Sequence, residues 1–269
     1  MPTAIELDDV TLVYEERNPD SRDSGTAVVF VHGLGGSSYS WWAQLAACEA
    51  QGHRGIAYDQ RGAGRSTKPG GPYSVELWAD DLERVLDHLR VDAAILIGHS
   101  VGCMVVEHAA VRLGDRVRGL AMLGGALRWR PEAGPVFEQR VKLAREGRMD
   151  EIAHTVAQTG LSESCRDTNL ALLGLFLELI ASNDPGAYAD WSAATAAAHM
   201  IEPGRVACPA LAACGELDPV TPPAFAEAIA AEIPAGRTAT IEGAAHWCHI
   251  EAPADVSALL LEFVDEIAT

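Results

Sequence analysis

A doubly wound α/β fold, with a mostly parallel sheet and a helical cap inserted between two strands, is the architecture this sequence predicts. Three observations carry the expectation. Short continuous apolar runs recur along the chain, amphipathic stretches separate them, and residues 127–205 break the rhythm with helical pattern alone. Continuous apolar runs suit strands covered on both faces, as parallel strands joined by crossover helices are. With 269 residues, 48% of them hydrophobic, the chain is long enough to bury such a core. The expected organisation is one core of residues 1–126 and 206–269, interrupted by the cap at 127–205.

In chain order, "TAIELDDV" and "TLVYEER" alternate apolar and polar residues, as a half-buried antiparallel hairpin at a sheet edge does. The runs "AVVFV" (27–31), "GIAYD" (55–59), "AAILIG" (93–98), "GLAML" (119–123), "ALAAC" (210–214) and "RTATIEG" (237–243) are the strands that follow. Between the second and third of these, "SVELWADDLERVLDHLR" (74–90) places Leu77, Leu82, Val85, Leu86 and Leu89 at helical spacing. The insertion opens with "LRWRPEAGPVFEQRVKLAREGRMDEIAHTVAQ" and continues through "NLALLGLFLELIASNDPGAYADWSAATAAAHM". It falls at the sheet edge where ligands bind in open α/β folds.

Charge narrows the function classes. A net charge of -18 repels phosphate backbones and anionic lipid surfaces, so neither nucleic acid nor membrane is an expected partner. The acidic start "MPTAIELDDVTLVYEER" has no export-signal pattern, and no apolar stretch is long enough to span a bilayer. Cysteines 48, 103, 165, 208, 214 and 248 show no paired short spacing, which reads as reduced thiols in a cytoplasmic protein.

The chemistry concentrates at a corner. Gly98-His99-Ser100-Val101-Gly102 follows a strand and opens a helix, the context in which Gly-x-Ser-x-Gly is a nucleophile elbow. The flanking glycines let strand and helix approach closely around a serine with strained dihedrals. That corner puts a hydroxyl at a helix amino terminus, where unpaired N–H groups stabilise developing negative charge. A serine still needs a base and a group to orient the base. Asp218 in "CGELDPVTPP" and His246 in "IEGAAHWCHIEAP" each occupy a loop after a strand, in the order serine, acid, histidine.

Neighbouring candidates are weighed against these. Glu216 is also in the acid loop but nearer the strand end than the crest; His249 reads as a packing or capping residue, and His99 as lining beneath the serine. Two histidines three apart in "HWCH" lack the carboxylate constellation of a zinc site, so no metal is expected. The glycine-rich loop of "FVHGLGGSSYSWW" can turn its N–H groups toward a reacting oxygen and lacks a P-loop ending. Leu34 and Val101 are the expected backbone donors of an oxyanion hole.

With "HGLGGS", "DQRGAGRS" (59–66), "GHSVGC", "GELDPVTPP" and "GAAHWCHIEAP" in order, the chain resembles the α/β-hydrolase superfamily over nearly its whole length. The resemblance implies Ser100 as nucleophile, His246 as base, Asp218 as its orienting acid, and Leu34 and Val101 as donors. Within the superfamily the chain is similar to 3-oxoadipate enol-lactonases and small carboxylesterases, through "GPYSVELWADDLERVLDHLRV" and "FEQRVKLAREGRMDEIA". It departs from the enol-lactonase pattern at Val101, Cys103 and Phe137, while Arg140 fits that pattern.

The expected function is a cofactor-free serine hydrolase that cleaves a small carboxylic ester or lactone through an acyl-enzyme. The alternatives are a C–C bond hydrolase of ring-cleavage products, a haloperoxidase or perhydrolase activity, and a non-enzymatic receptor or signalling protein on the same fold. Substrate-binding candidates are Arg140, for a carboxylated substrate, and Trp129, Trp191 and Trp247, with Trp41 and Trp42 also able to line an apolar pocket. The oligomeric state is left open.

Overall fold

The computed structural model describes residues 3–20 and 25–268. Residues 1–2, 21–24 and 269, part of the expected core segments, lie outside them. The described residues form eight strands: β1 (Thr3–Glu6), β2 (Thr11–Arg17), β3 (Thr26–Val31), β4 (Arg54–Tyr58), β5 (Ala93–His99), β6 (Val117–Leu123), β7 (Ala210–Gly215) and β8 (Gly236–Ile241). The α-helices of the first half are α1 (Trp42–Ala50), α2 (Val75–His88) and α3 (Val101–Leu113). Five more lie between β6 and β7: α4 (Ala133–Arg145), α5 (Met149–Gly160), α6 (Glu163–Thr168), α7 (Leu170–Ala181) and α8 (Pro185–Ala197). The last are α9 (Pro223–Glu232), α10 (Cys248–Glu251) and α11 (Pro253–Ala268). No single helix among the described residues is long and apolar enough to cross a membrane.

One sheet runs β1-β2-β4-β3-β5-β6-β7-β8. β2 is antiparallel to both of its neighbours, and every pairing from β4 to β8 is parallel. The apolar runs are continuous because both faces are covered. Along β3, Ala27, Val29 and Val31 join the layer that holds α2, α3 and α9, while Val28 and Phe30 join the layer that holds α1 and α11. α2 starts where Ser74 accepts a hydrogen bond from Leu77 N–H, and it buries Trp78, Leu82, Val85 and Leu86 against the sheet.

The chain leaves β3 for β4 on one side and returns to place β5 on the other side. That reversal opens a crevice beyond the carboxyl ends of β3 and β5. The inserted helices leave β6 and come back to β7, and their two stems meet through an isolated antiparallel bridge between Arg128 and His199. Glu107, fully buried on α3, accepts from the backbone N–H groups of Ile201 and Glu202 and pins the returning stem.

Below the sheet edge, buried Arg61 forks onto Asp81 and also reaches Asp9. Bonds from Arg61 and Arg84 hold the Asp9 carboxyl at about 2. A carboxyl held below its unfolded value of about 3.9 stabilises the fold above that pH, and the contribution vanishes as pH falls through the folded value. Asp9 is half exposed, so screening keeps the effect small. Asp9→Asn is therefore expected to lower the urea midpoint slightly at pH 6 and to lose most of that effect at pH 2. An equal loss at both values would remove the ion-pair explanation.

Candidate active site

Ser100 sits between β5 and α3 with φ 55 and ψ -122, a left-handed conformation that costs a non-glycine residue on the order of 1–3 kcal/mol. The surroundings over-determine it. A Cβ on Gly98 would stand 2.5 Å from Gly102 O, and one on Gly102 would stand 2.5 Å from Val31 O. A Cβ on Gly33 would stand 2.9 Å from His99 O and from the Ser100 Cβ, so the loop after β3 also passes directly against the corner. Glycine is required at all three places because backbone, not a movable side chain, fills the space.

The acid and base arrive on loops after β7 and β8. His246 Nε2 lies 3.1 Å from Ser100 Oγ, and His246 Nδ1 lies 2.8 Å from Asp218 Oδ2. Asp218 Oδ1 accepts from the N–H groups of Val220 and Thr221, and its Oδ2 accepts from the Thr221 hydroxyl at 2.8 Å. Burial pushes the Asp218 carboxyl up, but the charge of His246 and the bonds from His246 and Thr221 outweigh it and hold the carboxyl below its usual range. Glu216 is exposed and accepts from Gly243 N–H instead.

Three other imidazoles surround this set. His249 stacks on Trp41 with centroids 4.3 Å apart, and burial brings it down to about 3. His99 lies beneath the serine with Nε2 at 3.0 Å from His246 O, and burial, with its His249 and His246 neighbours, lowers it well below the ordinary value. Burial lowers His32 as well. Within the cluster, His246 alone has a carboxylate on one ring nitrogen and a hydroxyl on the other. That arrangement can take a proton from Ser100 and stabilise the imidazolium that results.

Leu34 follows β3 and Val101 opens α3, and both are buried. Among the described residues, neither N–H has a hydrogen-bond partner in the loops and turns around the corner. Two unpaired N–H groups beside a nucleophile are the requirement of an oxyanion hole.

A cavity of about 40 Å³ covers Ser100 and His246, lined from the core by Leu34, Val220 and Trp247 and from the inserted helices by Phe137, Arg140 and Thr195. Trp129 also faces it. Trp191 does not. It is packed in the core, stacked on Trp78 with centroids 3.9 Å apart, and its indole N–H donates to Arg61 O at 2.8 Å. Its expected place in the pocket is therefore corrected to a structural one, and Trp41 is likewise buried away from the cavity beside His249. Arg140 has no carboxylate partner among the described residues, and its Nε is buried without a hydrogen bond, as are Trp129 Nε1 and Thr195 Oγ1.

A larger, mostly apolar cavity of about 790 Å³ lies between α7, α1 and the loop after β3, with Trp42 and Tyr39 at its rim. It contains none of Ser100, His246 or Asp218, so the small cavity, where the chemistry converges, is the candidate site. Sequence reasoning missed Thr221 and Thr195. Thr221 had a local signal, an aspartate three residues earlier in a turn, whereas Thr195 lay unmarked in an alanine-rich helix.

Comparison with known proteins places these observations. The sequence model of the alpha/beta hydrolase fold matches residues 26–253. An epoxide hydrolase of Caballeronia sordidicola is 35% identical over 130 residues, covering 48% of this chain and only 38% of that protein. A 3-oxoadipate enol-lactonase 2 of Acinetobacter baylyi is 27% identical over 234 residues, 84% of each chain. A thermophilic esterase from Thermogutta terrifontis, solved with malate bound, matches with a TM-score of 0.90 at 26% identity over 100% of both chains.

Proposed function

The chain belongs to the alpha/beta hydrolase fold family, and on that premise we propose that it is a serine hydrolase of small carboxylic esters or lactones. The observation that carries the reading is the unbroken hydrogen-bonded line from Ser100 through His246 to Asp218 at the crevice beyond β3 and β5. Ser100 Oγ attacks the carbonyl carbon while His246 Nε2 takes the hydroxyl proton. Asp218 holds the imidazole in the tautomer that leaves Nε2 free to accept, and the N–H groups of Leu34 and Val101 receive the oxyanion. Collapse expels the alcohol or enol oxygen, which takes the proton back from His246. In a lactone that group stays tethered to the acyl chain. Water, deprotonated by His246, then cleaves the acyl-enzyme.

The inserted helices act as a cap that closes the site over the serine. At about 40 Å³ the cavity is small beside the roughly 300–1,000 Å³ of an ordinary ligand pocket, so a substrate enters when the cap shifts. Arg140 supplies a cation for a substrate carboxylate, which is costly to desolvate without one. The enol-lactonase relative, matched over 84% of each chain, and the buried Arg140 Nε without a hydrogen bond support that role.

The test is a hydrolysis screen over lactones, aryl esters and ring-cleavage products, with Ser100→Ala as blank. Turnover confined to C–C bond substrates, or absent throughout, would remove the ester-lactone reading. Arg140→Ala is expected to raise KM on the order of tenfold or more for a carboxylated lactone, as loss of a charged hydrogen bond does. It should barely alter turnover of a neutral aryl ester. Equal effects on both substrates, or none on either, would dismiss the carboxylate role.

A further inference from the structure

The residues on either side of His246 are tied to the inserted helices, one directly and one through Glu251 of α10. Behind His246, Trp247 N–H donates to the carbonyl of Gly160, the last residue of α5, at 2.9 Å. The approach is close enough that a Cβ on Gly160 would stand 2.7 Å from Trp247 Cδ1. In front of it, the Glu251 carboxylate accepts from Ala245 N–H at 2.9 Å, from Ser162 N–H at 3.1 Å and from the Ser162 hydroxyl. Ser162 Oγ in turn accepts from Cys165 N–H and caps α6. One carboxylate thus gathers three donors, one from the residue before the base and two from the joint between α5 and α6.

A carboxylate suits this place better than an amide. All three groups facing it donate, and an ionised carboxyl offers two accepting oxygens, whereas glutamine offers one and would turn an NH₂ toward donors. We propose that Glu251 is a positioning residue for the base: it sets His246 in register with Ser100 while the inserted helices are docked. The proposal rests on the reading of His246 as base. The alignment of the base then depends on the same helices that must shift to admit substrate, because their departure strips Glu251 of two of its three donors and Trp247 of its acceptor. Misplacement of a reacting group by about 1 Å costs on the order of 10²-fold in rate, so the loss is expected in kcat more than in KM.

The experiment measures steady-state hydrolysis of p-nitrophenyl acetate by Glu251→Ala, Glu251→Gln, Ser162→Ala and Arg145→Ala, with active enzyme counted by complete fluorophosphonate labelling. Arg145→Ala is the control, since Arg145 of α4 pairs with Asp190 of α8, an ion pair within the inserted helices that involves neither Glu251 nor Ser162. Glu251→Ala should lose about tenfold or more in kcat, with KM within about twofold. Glu251→Gln and Ser162→Ala should lose less, and Arg145→Ala should lower Tm without lowering kcat. Should Glu251→Ala fail to fold, Glu251→Gln and Ser162→Ala decide. Wild-type kcat in the Glu251 variants, or a kcat loss in Arg145→Ala matching theirs at equal Tm, would overturn the positioning role. A His246→Ala enzyme that still turns over would instead remove the base assignment beneath it.

Discussion

Ser100→Ala folds like the parent and loses activity by ~10⁴-fold or more in kcat, the scale at which serine triads fail without their nucleophile. Folding should survive because alanine keeps a Cβ at the same left-handed φ and removes only a hydroxyl whose neighbour is His246. The strain of the corner is then retained. Ser100→Gly should be equally inactive yet more stable by about 1 kcal/mol, because glycine adopts positive φ without steric cost. Thermal melts and single-turnover hydrolysis of an aryl ester read both quantities. Residual activity near the parent level would refute Ser100 as nucleophile, and an unfolded Ser100→Ala would contradict the corner geometry.

The second large effect separates residues adjacent in sequence. Asp218→Asn should reduce kcat by ~10⁴-fold, since an amide leaves His246 in the wrong tautomer. Glu216→Gln should be mild, because Glu216 is exposed and serves only Gly243 N–H. His246→Ala should be as severe as Ser100→Ala. His249→Ala should lower Tm through lost packing on Trp41 while the folded fraction keeps turning over. A severe Glu216→Gln or a catalytically dead but folded His249→Ala would shift the site by two or three residues along its loops.

Thr221 belongs to the same hydrogen-bonded set. Its hydroxyl donates to Asp218 Oδ2 and stands 3.3 Å from His246 Nδ1, so two donors share one carboxylate oxygen. The buried carboxyl stays ionised by virtue of these bonds, and its contribution to stability is present above the unfolded carboxyl value and lost as pH falls below it.

Much of this molecule is legible from residues a few places apart. Strand positions follow from apolar runs buried on two faces, the elbow from glycines that steric contact demands, and the order of nucleophile, acid and base from the loops that follow successive strands. These signals are local, because backbone sterics and periodic burial act between near neighbours, and so the sequence alone determined them. What joins residues far apart had no such trace. Ser100 and His246 are separated by 146 positions, and only packing of the sheet sets their 3.1 Å contact. The same packing turned Arg140 into the cavity and drew Trp191 away to Trp78, although it stood among the tryptophans expected to line the pocket. It also brought Glu251 between Ala245 and Ser162, and the two Ser162 donors, 89 positions away, are announced by no pattern in the chain. Tertiary structure decided these because a side chain's partner depends on which elements meet, and that is fixed by the summed burial of the whole core rather than by any one segment.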